Sequence, residues 1–431
     1  MKIKKMQQLK SILSLPKGIW MIAVTGGPCS GKTTGLAKLK PMLEELGYKV
    51  LVSSEVATVL INSGYTPSKV GLKRFQKMIL VRTLLQEEGI IKRAIAIKNA
   101  HKKLSKKKVK EKGIVILCDR GAMDGQAYMS KDDFTYMVSE YDLSISDICQ
   151  RRYHAVIHMR STAVDAEKFY TLQNNSARME SVEEAREMDH ATLCAWQSHQ
   201  CLKMIDNNTD FDGKVQILSN EVRTIIGDSL PYEREEKFLI EPIALHDIPG
   251  HLAPKVVLIE QDYIDGTGSH RLEERRLRKV VDEHTIIYLH TVKKDISPGL
   301  RYEKEELISK SKYYRLLKKK NKKLKKIIKR RISFYYKNKK VEIDTYVKTP
   351  SANSLSQTKP SRHERKREMS GVCIMEIELA HMPSQSRSEN PKFDEIHISD
   401  LPDFIKVKRK VTGEKEYSNK FLAGCENLIR D

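Results

Sequence analysis

A chain of 431 residues, 31% of them charged and carrying a formal net charge of +22, exceeds one ordinary core and at roughly 150 residues per domain reads as two domains. The positive excess implies an anionic partner, whether phosphate ligand, acidic lipid or nucleic acid, without choosing among them. Seven cysteines with no CxxC pair argue against a disulfide framework or a zinc site and suit a reduced, cytoplasmic protein.

Residues 1–18 form a basic extension in which Pro16 and Lys17 interrupt the chain before any apolar run of signal length. Next comes the apolar run Ile19-Trp20-Met21-Ile22-Ala23-Val24, then Gly26-Gly27-Pro28-Cys29-Ser30-Gly31-Lys32-Thr33-Thr34, then a helical pattern from Leu36 to Leu46 closed by Gly47. That order of strand, glycine-rich loop and helix predicts a phosphate-binding loop. Its backbone N–H groups would cradle a nucleotide's phosphates, Lys32 would reach the β- and γ-phosphates, and the Thr33 hydroxyl would hold Mg²⁺.

Strand-like runs recur at Lys49–Ser53, Gly113–Cys118 and Ala155–Met159, alternating with helical patterns to about residue 225. The alternation predicts an α/β domain over 19–228, a parallel sheet with helices on both faces. Ligands of such sheets sit beyond the strands' carboxyl ends, where three groups fall. Glu55 could take a proton from an acceptor hydroxyl, bind a sugar hydroxyl, or cap the helix at Val56. Asp119 is placed to orient the water shell of Mg²⁺, and Arg120 to contact a phosphate. Beyond Arg160, the polar stretch holding Asn174, Asn175, Arg178 and Glu180 offers Arg178 as a lid residue. His158 reads as a residue satisfied by a neighbour near the sheet edge, not as a base. With no Asn-Lys-x-Asp and no Asp-x-x-Gly switch motif, the site is closer to small-molecule kinases than to switch GTPases, and guanine or adenine preference stays open. Ile205-Asp206-Asn207 is a weak candidate for the last strand and base-contacting loop.

From Tyr232 the pattern changes. Glu233, Glu235 and Lys237 alternate along one segment, as do Arg276 and Arg278; Arg301, Glu303 and Glu305; Lys329 and Arg331; Glu342 and Asp344; Glu376 and Glu378. Residues i and i+2 share a strand face, so six such segments predict an antiparallel barrel over 232–431 with a charged lumen, carboxylates suited to a divalent cation and Lys and Arg to phosphate oxygens. Two basic runs, His101–Lys112 and Lys318–Arg331, read first as solvated faces. The second has ten Lys or Arg in fourteen residues, but no aromatic residues interleave it, so nucleic acid is not expected. Residues 349–369 read as a disordered loop. No stretch approaches the about 20 apolar residues of a membrane span, so membrane contact is expected to be peripheral.

Taken together, Gly26–Thr34, Glu55-Val56-Ala57-Thr58, Asp119–Asp124, Asn174–Glu180 and the Glu-x-Glu-x-Lys at Glu233, Glu235 and Lys237 resemble the family of TRPL translocation defect protein 14, over nearly the whole chain. The resemblance implies an AAA-type P-loop domain joined to a CYTH-like triphosphate-tunnel domain, with binding of GTP and phosphatidylinositol 3-phosphate and a role in membrane-protein trafficking, peripheral on endomembranes. It implies Glu233, Glu235, Glu376 and Glu378 as tunnel ligands for Mg²⁺ or Mn²⁺, and Lys237, Arg276, Arg278, Lys293, Arg301, Lys329 and Arg331 as phosphate-binding rows. Two alternatives stand beside a GTP- or ATP-binding trafficking regulator with slow hydrolysis: a nucleoside-type kinase using Glu55 and Arg178, and a metal-dependent triphosphatase acting in the tunnel.

Overall fold

The computed structural model describes residues 15–104, 112–170, 181–228, 232–233, 235–265, 273–282, 285–297, 300–337, 339–346, 372–379 and 396–424. The chain divides into one unit spanning Met1–Ser229 and a second spanning Leu230–Asp431. Arg178 with Asn174, Asn175 and Glu180, residues 1–14 of the basic extension, the greater part of the His101–Lys112 run and the 349–369 segment lie outside the described residues, as do the side chains of Glu233 and Arg301.

In the first unit, β1 (Ile19–Thr25) buries every residue but Trp20, β3 (Gly113–Asp119) every residue but Gly113, and β4 (Ala155–Met159) all five. Strands apolar on both faces need cover on both, which parallel pairing with crossover helices provides. The order is β2 (Tyr48–Ser53), β3, β1, β4, β5 (Leu202–Ile205), with every neighbouring pair parallel. His158 therefore sits inside the sheet, because β4 lies between β1 and β5 and not at an edge. Helix α1 (Lys32–Glu45) starts at Lys32, earlier than the apolar pattern from Leu36 predicts. Gly31 at φ 81° takes the left-handed conformation that turns the loop straight into the helix.

The further helices of this unit are α2 (Val56–Asn62), α3 (Pro67–Val70), α4 (Leu72–Leu104), α5 (Lys131–Ser139), α6 (Ile145–Cys149) and α7 (Val182–Trp196), between strands, and α8 (Phe211–Ile226), after the last one. A reciprocal Ser181–Glu184 capping box opens α7, Asp210 caps α8, and left-handed Gly227 closes it. One core joins Leu36, Leu39 and Leu43 of α1 and Leu218 and Val222 of α8 to Ile22, Val24, Val115, Leu117 and Ile157 of the sheet. With β1 between β3 and β4, the ends of those strands at Thr25, Asp119 and Met159 meet on one rim.

Among the described residues, the second unit forms an antiparallel sheet of ten strands in the order β15 (Val407–Lys410), β7 (Glu235–Ile240), β14 (Cys373–Glu378), β13 (Lys339–Tyr346), β12 (Ile327–Tyr336), β8 (Lys255–Tyr263), β9 (Glu274–Val281), β10 (Ile286–Ser297), β11 (Leu300–Ile308), β6 (Tyr232–Glu233). Helices α9 (Lys310–Leu317) and α10 (Asn419–Gly424) accompany it. Alternation sorts the faces: Phe238, Phe334, Val341, Ile343, Met375 and Ile377 pack into one apolar cluster, while Lys237, Arg331, Glu342, Asp344 and Glu376 take the alternate positions. A single residue, Arg234, separates β6 from β7, yet β6 pairs with β11 at one end of the order and β7 with β14 and β15 near the other.

Candidate functional site

The phosphate loop leaves β1 at Thr25. At Gly26 φ is 140°, and a Cβ there would lie 2.0 Å from the Met159 carbonyl oxygen, so the position admits only glycine. Lys32, 5% exposed, folds back over the loop: its Nζ donates to the carbonyls of Gly26 and Gly27, each at 2.9 Å, and to Ser30 Oγ at 2.8 Å. The Ser161 hydroxyl donates to the Pro28 carbonyl, and Thr162 Oγ1 to the Cys29 carbonyl at 3.2 Å. Engaged carbonyls hold the peptide planes of the loop, the precondition for a backbone phosphate cradle.

Thr33 and Asp119 meet at the other side of the loop, with Thr33 Oγ1 donating to Asp119 Oδ2 at 2.7 Å. Burial raises the Asp119 carboxyl, and the Thr33 hydroxyl and the Lys32 charge oppose that without cancelling it. Its second oxygen, Oδ1, is buried without a hydrogen-bond partner. A carboxylate oxygen left unsatisfied beside a threonine hydroxyl fits a hard cation such as Mg²⁺.

Arg120 takes the left-handed conformation, φ 70°. Its Nε donates to Glu55 Oε1 at 2.5 Å and its Nη1 to Asp124 Oδ2 at 3.1 Å. Glu55 occupies the N-cap position of α2 without capping a backbone N–H, and instead accepts from Thr58 Oγ1 at 2.6 Å. Burial works to raise the Glu55 carboxyl, but the Arg120 charge, the Thr58 hydroxyl and Lys32 outweigh it and hold it at about 2. A carboxylate so stabilised is a weak base and a firm anchor for Arg120.

Two carboxylates here had no role assigned from the sequence. Asp124 accepts from Thr25 Oγ1 at 2.8 Å and from Trp196 Nε1 at 2.6 Å. Asp189, fully buried on α7, accepts from the N–H groups of Gly27 and Ser161, each at 2.9 Å. One signal could have found Asp189: it shares a helical stripe with Ala185, Thr192, Leu193 and Trp196, where a charge needs a buried partner. Asn207, after the last strand, donates to the carbonyls of Ser161 and Val164, both at 2.7 Å, and accepts from Lys214 Nζ at 2.6 Å.

The second unit gathers cations on its charged face. Arg276 Nη2 donates to Glu303 Oε1 at 2.8 Å, and Lys293 pairs with the same carboxylate. Arg278 bonds Glu305, Lys329 Nζ reaches Asp344 Oδ2 at 2.5 Å, and Arg331 spans Asp344 and Glu376 at 2.7 and 3.1 Å. Lys237 bonds Glu376 and lies 3.0 Å from Glu235 Oε1. Burial, then the charges of Arg276 and Arg331, pull Arg278 down to about 9, and burial and Arg331 pull Lys329 down to about 8 despite Asp344. Arg276 of β9 is held above its ordinary range against burial, chiefly by Glu303, with a smaller contribution from Glu235 of β7, a strand separated from β9 by four others in the sheet order. Among the described residues no group of three or more His, Cys, Asp or Glu could hold a metal ion. Glu235 and Glu376 are turned to Lys and Arg. Nor, among the described residues, is any helix long and apolar enough to cross a membrane.

No curated protein matches the chain. Among solved structures, the PH1819 protein of Pyrococcus horikoshii OT3 is similar at 17% identity over 36% of this chain and 80% of that one, TM-score 0.25. The Mediator head module of Schizosaccharomyces pombe is similar at 11% identity over 37% and 86%, TM-score 0.27. Scores this low carry no argument about function. Residues 21–214 match the family model described as AAA domain, which contains the loop, Glu55, the Asp119–Asp124 turn and Asp189. Together with the parallel sheet and phosphate loop, this match supports reading the first unit as a P-loop domain of AAA type, consistent with use of a nucleotide and Mg²⁺.

Proposed function

We propose that this protein is a nucleotide-dependent regulator of membrane-protein trafficking: its first unit binds GTP or ATP with Mg²⁺ and hydrolyses it slowly, and its second holds a phosphorylated ligand such as a phosphoinositide headgroup. The Thr33–Asp119 pair beside the folded-back Lys32 carries the nucleotide half. When bound, Mg²⁺ would neutralise phosphate charge. Thr33 and Asp119 would orient its ligands, Lys32 would swing from the loop carbonyls to the phosphates, and Arg120, anchored by Glu55 and Asp124, would stand at the rim.

For the second unit, the supporting observation is the crowding of Arg276, Arg278, Lys329 and Arg331. Their mutual repulsion, felt by Arg278 and Lys329, is what a polyphosphate would relieve. The one-residue step between β6 and β7, which pair near opposite ends of the sheet order, and the action of Glu235 on Arg276 favour a tunnel as the shape of that site.

The kinase reading is weaker, since Glu55 is engaged by Arg120 and poorly basic; the triphosphatase reading is weaker because Glu376 faces Lys237 and Arg331. Titrating GTP and ATP against the intact chain and Lys32→Ala, with and without Mg²⁺, tests the first half. Flotation with liposomes containing phosphatidylinositol 3-phosphate tests the second, and equal flotation with neutral liposomes would sink it.

A further inference from the structure

We propose that Asp189 is a positioning residue that pins the phosphate loop from behind, so that the cradle is set before a nucleotide arrives. The proposal rests on the P-loop reading and adds to it a residue from outside the motif. One oxygen of Asp189, Oδ1, accepts from Gly27 N and Ser161 N, each at 2.9 Å. It also lies 3.2 Å from His158 Nε2, while Oδ2 lies 3.4 Å from Arg160 Nη1. The loop and the end of β4 thus converge on one side chain of α7.

A carboxylate this deep needs compensating donors and cations: Oδ1 takes both N–H groups, while Oδ2 accepts no hydrogen bond and has the Arg160 cation beside it. Burial pushes the Asp189 carboxyl up, but His158, Arg160 and the Gly27 N–H outweigh burial and hold it well below the usual range. Contact between loop and helix is tight: a Cβ on Gly27 would lie 2.7 Å from Asp189 Cβ. Ser161, held by Asp189, in turn bonds the Pro28 carbonyl, and its neighbour Thr162 bonds the Cys29 carbonyl. By fixing Gly27 and Ser161 together, Asp189 locks the first half of the loop along both sides. Preorganisation of this kind raises affinity by removing the ordering cost of binding.

The test uses the full chain as parent, Asp189→Ala and Asp189→Asn. Amide hydrogen exchange without nucleotide is followed in peptides covering 25–36, 159–164 and, as reference, 113–119, and triphosphate affinity is then measured with fluorescent GTP and ATP analogues. Asp189→Ala should speed exchange in the first two segments, leave 113–119 unchanged, and weaken triphosphate binding by at least about tenfold. Asp189→Asn keeps an acceptor oxygen for both N–H groups and should restore most of both readouts. Unchanged exchange at 25–36 and 159–164 in Asp189→Ala, or a rise spread equally over all three segments, overturns the proposal. Should Asp189→Ala not fold, Gly27→Ala decides: its methyl must speed exchange at 159–164 as well as in the loop, and no change there overturns the idea. If the parent binds no triphosphate, the nucleotide reading fails while the exchange pattern still judges the pinning.

Discussion

The Thr33 hydroxyl donates to the Asp119 carboxylate at 2.7 Å, joining the first turn of α1 to the end of β3 across the central strand. Because Asp119 Oδ1 is buried without a partner, the pair has spare acceptor capacity where a cation would sit. Asp119→Asn should therefore abolish the Mg²⁺ dependence of nucleotide binding: affinity with Mg²⁺ drops by at least about tenfold, and affinity in EDTA stays near the parent's. Paired titrations with and without EDTA read this directly, and an unaltered Mg²⁺ dependence would place the cation elsewhere.

Lys32 spends its ammonium on the carbonyls of Gly26 and Gly27 and on Ser30. Hydrogen bonds to a charged group contribute about 1.5–3 kcal/mol, so Lys32→Ala should lower triphosphate affinity by roughly 10- to 150-fold. Calorimetric titration of the intact chain gives that ratio. A loss under threefold would mean that Lys32 stays on the loop when ligand binds.

Trp196 is fully buried and its Nε1 holds Asp124 Oδ1 at 2.6 Å. In Trp196→Phe that oxygen keeps only the Gly121 N–H at 3.4 Å, and an under-satisfied buried acceptor costs about 1–3 kcal/mol. Denaturant unfolding of the first unit should show a loss of that size. Since Asp124 also holds Arg120, nucleotide binding should weaken together with stability.

Acid should destabilise both units over the same window. Glu55 in the first unit and Glu342 in the second are each held at about 2, against an ordinary 4.5. Burial opposes both depressions; Arg120 drives the first, and Arg331 with Lys340 the second. A depressed carboxyl stabilises the fold fully above its unfolded value and loses that contribution as pH falls through the folded one. Stability should therefore decline between pH 4.5 and 2, by on the order of 3 kcal/mol for each group. Guanidinium midpoints at pH 7, 4.5, 3 and 2 would follow it, and Glu342→Gln should flatten the second unit's decline. A midpoint independent of pH across that range would contradict the assignment.

Much of the site was legible because its residues are neighbours in sequence. The phosphate loop must be contiguous, since successive backbone N–H groups form the cradle. Asp119 is readable for a related reason: a charge ending the apolar run Ile114–Cys118 has to leave the core at the strand's carboxyl end. Charge alternation from Tyr232 likewise follows from the two-residue repeat of a strand. Asp189 was hidden because its partners, Gly27 and Ser161, lie 162 and 28 residues away, and Asp124 because its tie to Trp196 spans 72.

By itself, then, the sequence determined the elements and the chemistry of the loop, because local periodicity and contiguous glycines act over a few residues. Only the tertiary structure decided which charges neutralise each other. Placing β1 between β3 and β4 brings Thr33 to Asp119 and Asp189 to Gly27, and the sheet of the second unit brings Lys237 to Glu376. Those pairings set which carboxylates are engaged and which, like Asp119, keep an oxygen without a hydrogen bond, and strand order and helix packing fix them at separations that no sequence window spans.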